Sequence, residues 1–464
     1  MSAVAAAPLP LAENARRIAH LAWPVFVGQI SLLAFGTVDT LLVARAGAAD
    51  LAALAVGGAA FITVFIGFMG VLLALAPIVG QLYGAHKHED AGRQLHQALW
   101  LALGLAVLGS TLLAFPQPFL VLAQASPEVA DKVRGYLLAL AFSLPASLLF
   151  TIYRGFNTAV SRPKVVMLIQ VAALAIKIPL SALLVFGAPQ WGLPALGVTG
   201  CGIATCVAMW AQVLVAWQVM RRDRFYEPFK IWGRGLDRPD WPALRHQLKL
   251  GVPMGASTLV EVTGFAFMAI FISRLGTTPV AGHQIAINLV SMLFMMPLAL
   301  GNATTTLVAQ SLGGGRRAEA ERLGWHGLAL GCAIAAVMGG AVYFSREGAL
   351  SLYTSDAAVI AAALPLVAWL ALFHVADAAQ IIVAFVLRAY KISVVPMLVY
   401  VVALWGVGQG GGYWLAFNVS GNVPQALQGA AGYWFACTAG LVLSGLALTA
   451  FMAWMLKQPG RLRV

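Results

Sequence analysis

Apolar runs of about twenty residues, the length at which a helix crosses a bilayer, recur along the 464 residues with short polar stretches between them. They predict twelve helices, at 18–44, 51–83, 94–115, 133–153, 165–187, 196–220, 250–273, 280–311, 323–345, 358–387, 392–416 and 428–456. Several of these exceed the minimum, which predicts tilt or helix that continues past the bilayer. The fold class is therefore all-α integral membrane. Composition agrees: 61% of residues are hydrophobic and 10% charged, against about 25% charged in a soluble domain. The stretch from Met1 to His20 carries Arg16 and Arg17 but no short apolar core with a cleavage site, so no secretory signal is expected.

The net charge of +12 raises the possibility of a nucleic-acid partner. Its distribution argues against one. With a cytoplasmic N-terminus, the cytoplasmic segments hold 23 of the 29 Lys and Arg, including Arg16, Arg17, eight residues between Arg221 and Lys249, and Lys457, Arg461 and Arg463. The opposite face keeps Arg45, Lys132, Arg134, Arg274 and Arg346, and Lys177 lies inside a span. Excess positive charge on the cytoplasmic side fixes membrane topology. Cys201, Cys206, Cys332 and Cys437 all fall in predicted spans without metal-ligand spacing, so they are expected to pack as small apolar residues, with no disulfide and no zinc.

A shift of 229 residues lays the start of the chain on its middle without a gap. Pro24 meets Pro253, Arg45 meets Arg274, Gln81 meets Gln310 and Arg93 meets Arg322. The register holds through helices 1–2 and 7–8, and Arg154 and Arg388 still close corresponding helices. Two six-helix bundles related by internal duplication follow. The expected domains are 1–220, a cytoplasmic linker at 221–249, and 250–464. Both copies begin on the same side of the membrane, the arrangement that transporters use to rock two bundles around a shared site.

Three acids interrupt the apolar runs: Asp39, Glu261 and Asp377. A carboxylate in lipid costs about 2.5–3.5 kcal/mol, so such groups mark pathways for ions, protons or charged substrates. The duplication does not repeat them. Under the shift Asp39 meets Met268 and Glu261 meets Leu32, so the first copy carries Asp39 with Lys177 and the second carries Glu261 with Asp377. At a rise of about 1.5 Å per residue, Glu261 lies about 18 Å beyond Lys249 and Asp377 about 16 Å from Arg388, both near the midplane of a core about 30 Å thick. Asp39 is about 9 Å from Arg45, in the outer half. Two carboxylates at one depth cannot both stay ionised cheaply: one takes a proton, or a cation enters between them. The alternative is a pair satisfied by helix hydroxyls and amides. For Asp39, neutralisation by Lys177 is a structural alternative. Gln284 and Asn288 share a face of helix 8, with Asn302 and Thr304 to Thr306 further along it; such groups serve either as ligands or as interhelical glue. His374, three residues before Asp377, either tunes its proton affinity or packs as a hydrogen-bonded histidine.

These pieces combine into a resemblance. Gly36-Thr37-Val38-Asp39-Thr40 in helix 1, Gly200-Cys201-Gly202-Ile203-Ala204-Thr205 in helix 6, Val260-Glu261-Val262 in helix 7, Ala281-Gly282-His283-Gln284 opening helix 8, and Asp377 in helix 10 stand in an order. With the duplication, they resemble the multidrug and toxic compound extrusion (MATE) family in its bacterial NorM-like branch, over nearly the whole chain. The resemblance implies two six-helix lobes with a cleft between them, and efflux of cationic, amphipathic drugs and dyes driven by Na⁺ or H⁺. It makes Glu261 and Asp377 the cation site, Asp39 a first-lobe acid for proton or substrate, and Asp356 an acid of the substrate cleft, with Gln284, Asn288 and Phe373 as further cleft candidates. Relatives often carry a tyrosine where Phe373 stands, and amides in the stretch of Lys177 and Ser181. A lysine near Asp39 weakens a proton role there, which favours Na⁺ through Glu261 and Asp377.

The expectation is thus a secondary transporter and not an enzyme, without cofactor, embedded as a monomer in the bacterial inner membrane with both termini cytoplasmic. No Gly-Lys-Ser/Thr phosphate loop occurs. A flippase of polyprenyl-linked glycan, the alternative within the same superfamily, needs a basic cavity, whereas the midplane here holds three acids and one lysine. A membrane enzyme would need a clustered interfacial motif, and His86-Lys87-His88-Glu89-Asp90, taken as a solvated loop, has no partner cluster.

Overall fold

The computed structural model describes residues 10–124, 126–232 and 235–458. Arg234, Arg461 and Arg463, counted above among the basic residues of one face, lie outside them. Among the described residues, twelve helices are long and apolar enough to cross a membrane: α1 (Leu11–Ala46), α2 (Ala48–Gly84), α3 (His88–Ala114), α4 (Pro127–Ala159), α5 (Pro163–Phe186), α6 (Gly197–Arg222), α7 (Trp241–Ser273), α8 (Thr277–Gly313), α9 (Arg317–Phe344), α10 (Ala357–Ala389), α11 (Val394–Ala416) and α12 (Gly429–Leu456). Among the described residues the β contacts come to one isolated bridge, between Ala188 and Leu193.

Each predicted apolar run matches one of these helices; six of the runs overhang their helix by one or two residues at one end, and the larger differences arise where polar residues carry a helix beyond the apolar stretch. α1 begins at Leu11 rather than 18, and α7 at Trp241 rather than 250, because the turns bearing Arg16, Arg17, Arg245 and Lys249 are helical but not apolar. α4 begins at Pro127 rather than 133: Ser126 caps it by accepting from the Val129 amide, and a proline suits the first helical position. The His86–Asp90 stretch is not a loop throughout. His88, Glu89 and Asp90 form the first turn of α3, where the acids favour the helix N-terminus, and Glu89 pairs with Lys230.

The chain forms two compact units, Val27–Gly255 (the N-unit) and Met1–Phe26 with Ala256–Val464 (the C-unit). These bounds fall elsewhere than the 1–220, 221–249 and 250–464 division drawn from the sequence. The chain changes unit inside α1 and inside α7, a few residues after Pro24 and Pro253, prolines that each interrupt a helix. In the C-unit, Ile18, Leu21 and Ala22 of α1 pack into one core with Leu300, Val308, Ile382 and Leu448. In the N-unit, Leu250 and Met254 of α7 pack with Ala74 and Ile78 of α2. Glycines permit that second approach: a Cβ on Gly251 would stand 2.1 Å from the Val71 carbonyl oxygen, and small residues let membrane helices meet backbone to backbone.

The charged stretch after α6 is folded onto α3 within the N-unit. His96 contacts Asp237 at 2.9 Å and the Ile231 carbonyl at 3.1 Å, Gln97 donates to the Arg238 carbonyl, and the Trp100 indole donates to the Asp237 carbonyl. Three of its backbone carbonyls, at Ile231, Asp237 and Arg238, are thereby satisfied.

Candidate cation site

Three helices of the C-unit build the site. α7 carries Glu261, α10 carries Asp377 and Gln380, and α11 holds α7 in place. The Gln380 side-chain amide donates to Glu261 Oε1 and to Asp377 Oδ1, at 3.1 Å each. The two carboxylate oxygens are therefore no farther apart than twice that distance. Asp377 and Gln380 are buried and Glu261 is half-buried. The Gln380 Oε1 atom is buried without a hydrogen-bond partner. Gln380 stands three residues after Asp377, on the same helix face, and that spacing was the signal by which the sequence could have disclosed it.

α11 does not run as a continuous α-helix. Its central stretch, Val401–Gly410, is a π-helix between two α-helical ends, a wider coil found often at functional sites. From it the Trp405 indole donates to the Val260 carbonyl at 3.0 Å, and the Gln409 amide donates to the Gly264 carbonyl at 2.8 Å. Tyr433 on α12 orients Gln409 by donating to its Oε1 at 2.8 Å. The α7 backbone is thus gripped immediately before Glu261 and three residues after it. Arg388, at the end of α10, is buried with its guanidinium 4.3 Å from the Phe385 ring centre, and its charge acts on Glu261. The Tyr400 hydroxyl, on α11, is buried and unpartnered. Two carboxylates and an amide oxygen are hard-oxygen donors of the kind that suit hard cations.

The other C-unit candidates sit in several environments. Phe373 is buried, its ring 5.5 Å from Trp434 and 6.1 Å from Phe265. His374 is packed and buried, yet neither ring nitrogen has a partner. Gln284 and Asn288 lie exposed on one face of α8. Asn302, Thr304 and Thr306 bond to carbonyls of their own helix, whereas Thr305 donates to the Phe385 carbonyl and ties α8 to α10. Asp356 caps α10, its Oδ1 accepting from the Ala358 and Val359 amides. His283 of the Ala281–Gln284 motif accepts from the Trp434 indole at 3.2 Å.

In the N-unit, Asp39 and Lys177 are brought together from α1 and α5. Lys177 Nζ donates to Asp39 Oδ1 at 2.5 Å and to the Phe35 carbonyl at 3.3 Å. Lys177 is fully buried and Asp39 is 8% exposed. All four cysteines are free thiols.

A family model described as MatE matches the chain twice, at residues 24–183 and 253–414. Its two matches begin at Pro24 and Pro253, the pair aligned by the internal shift. The chain is 38% identical over 463 residues, with 98% of each sequence covered, to a protein of Aromatoleum aromaticum named "Probable multidrug resistance protein NorM". It is 33% identical to a protein of the same name from Neisseria meningitidis serogroup B, covering 94% of this chain and 93% of that one, and 33% identical to "Multidrug resistance protein MdtK" of Yersinia pestis, covering 96% of each. The fold matches the eukaryotic MATE transporter AtDTX14 with a TM-score of 0.84 at 20% identity, over 96% of each chain. It matches the bent form of the Vibrio cholerae MATE transporter VcmN with a TM-score of 0.84 at 18% identity, over 96% and 98%. The chain belongs to the multidrug and toxic compound extrusion (MATE) family, in its bacterial NorM-like branch, and is a membrane transporter and not an enzyme.

Proposed function

We propose that this protein is a secondary multidrug efflux transporter of the bacterial inner membrane. It exports cationic amphipathic compounds in exchange for Na⁺, with H⁺ as the alternative coupling ion, and works as a monomer with both termini in the cytoplasm. The names of its relatives, each called a multidrug resistance protein, support multidrug efflux, and the acids Asp39, Glu261 and Asp377 in the spans are what favours cationic compounds. The positive charge gathered on one set of loops supports the orientation.

The observation that carries the coupling reading is the single Gln380 amide shared by Glu261 and Asp377. A buried and a half-buried carboxylate joined by one neutral donor place two negative charges against the single charge of Arg388, and so are short of positive charge. A Na⁺ entering between them supplies it, takes the place of the amide hydrogens, and meets the otherwise unpartnered Gln380 Oε1 once the amide turns. The N-unit acid has no such deficit, because Lys177 already neutralises Asp39. Entry of the ion shifts the charge balance of the C-unit, so ion and cationic drug compete for the same negative charge. One charge moving down 100 mV supplies about 2.3 kcal/mol, a shift of about fifty-fold in an equilibrium.

The test is drug transport in proteoliposomes with Na⁺ and pH gradients imposed separately. Glu261→Gln and Asp377→Asn should each abolish ion-dependent transport, and the double variant should be no worse than either, because the residues act as a unit. Loss of ion dependence in Asp39→Asn, with both C-unit variants unaffected, would move coupling to the N-unit and make H⁺ the ion.

A further inference from the structure

Lys177 meets two hydrogen-bond acceptors and the face of an aromatic ring. A primary ammonium has three N–H donors. At Lys177 one faces Asp39 Oδ1 at 2.5 Å and one faces the Phe35 carbonyl at 3.3 Å. The Phe35 ring offers its face 4.6 Å from the nitrogen, where the ring quadrupole attracts a cation. Cys201, on α6, is fully buried. Carboxylate, carbonyl and aromatic face converge on one point from a single stretch of α1, Phe35 to Asp39, so the receptor belongs to one helix and the cation comes from another.

We infer that this pocket is a binding site for a primary ammonium ion, and that Lys177 is its tethered occupant. The Lys177 stem does no more than deliver the nitrogen from α5, so a free alkylammonium of the same length should take its place once the stem is removed. Selectivity follows from the geometry. A quaternary ammonium has no N–H to give to Asp39 or Phe35, and Na⁺ would find two oxygens where it prefers more. While Lys177 is present the site is filled, and Asp39 adds no net negative charge to the N-unit. This inference stands whether or not Glu261 and Asp377 couple transport to an ion.

Lys177→Ala removes three methylenes and the nitrogen, the size of n-propylammonium. Thermal unfolding of the purified full chain in detergent should then rise with added n-propylammonium and stay unchanged with tetramethylammonium. Wild-type protein should respond to neither. Asp39→Asn/Lys177→Ala, in which no charge is left to pair, should also not respond. The absence of a propylammonium shift in Lys177→Ala, or an equal shift in the double variant, overturns the inference. Where Lys177→Ala does not fold unaided, the yield of folded fusion protein from cells grown with and without n-propylamine reads the same point: a gain specific to the single variant supports the site, and no gain overturns it.

Discussion

Trp405 donates its indole N–H to the carbonyl of Val260, 3.0 Å away, the residue immediately before Glu261. With Gln409 on the Gly264 carbonyl, it fixes the turn of α7 that presents Glu261. Neither side chain reaches the carboxylates through any hydrogen bond of its own, so both act as positioning residues. Trp405→Phe removes one hydrogen bond worth about 1 kcal/mol, which corresponds to about fivefold in an equilibrium. The half-saturating Na⁺ concentration for transport should rise by about that factor, with half-saturating drug concentration little changed. Equal loss in both would mean that Trp405 supports the fold as a whole and not the site.

Gln380 separates the two acids in the ion-free protein. Gln380→Leu leaves them with no donor between them, and a hydrogen bond to a charged group is worth about 1.5–3 kcal/mol. The ion-free state is destabilised by that amount, more than the loss of the one neutral Oε1 ligand costs the ion-bound state, so the variant should hold Na⁺ several-fold more tightly and turn over more slowly, because release is now the costly step. Ion binding measured by calorimetry on the purified variant reads this directly. Weaker binding would mean that the Oε1 atom matters more as a ligand than the amide hydrogens do as a substitute for the ion.

The helices were legible because lipid imposes a length and an apolarity that no soluble fold shares, and the duplication because prolines and arginines recur at one spacing. Helix ends were less legible: α7 runs from Trp241 because a helix outside the bilayer needs no apolar residues. The unit boundary was illegible, since a hydrophilic linker signals where a chain leaves the membrane and not where its contacts change. In the site, Glu261 and Asp377 stood out by charge, and Lys177 by being a lone cation in a span. Gln380, Trp405 and Gln409 did not, because a neutral polar residue in a membrane helix looks the same whether it bonds to its own helix, as Asn302 does, or to a neighbouring one.

Asp50 carries no signal in the sequence for a related reason: it lies at the start of α2, where an acid is ordinary. In the structure it is buried, accepts from Lys132 Nζ at 2.8 Å, and caps a different helix by accepting from the Val198 amide at 2.9 Å. Gly197, beside that amide, has φ +55, and a Cβ on it would stand 2.2 Å from Asp50 Oδ1. Asp50→Ala should cost about 2–3 kcal/mol, as loss of charge-assisted bonds does. Gly197→Ala should cost about 1–3 kcal/mol through backbone strain and collision. The double variant should melt higher than the sum of the two losses implies, because the collision vanishes with the carboxylate. Strictly additive melting shifts would show the two positions to be independent.

Asp223 closes α6 and begins the segment folded onto α3. Its Oδ1 accepts from the Phe225 amide at 2.9 Å and its Oδ2 from Arg162 at 2.6 Å, while the Arg162 guanidinium lies 4.4 Å from the Phe225 ring centre. The Phe225 amide first, and the Arg162 charge after it, hold the Asp223 carboxyl below the usual aspartate range. A depressed folded value means that the unfolded chain takes up the proton at higher pH than the folded one. The stabilisation is therefore complete above the unfolded value, about 3.9, and is lost as pH falls through the lower folded value. The difference in melting temperature between wild type and Asp223→Asn should be constant from pH 7 to pH 5 and shrink below about pH 4. It should be small throughout, since the pair is partly exposed and screened by water and salt. A difference that shrinks already between pH 7 and pH 5 would show that a group other than the Asp223 carboxyl controls how this segment is held.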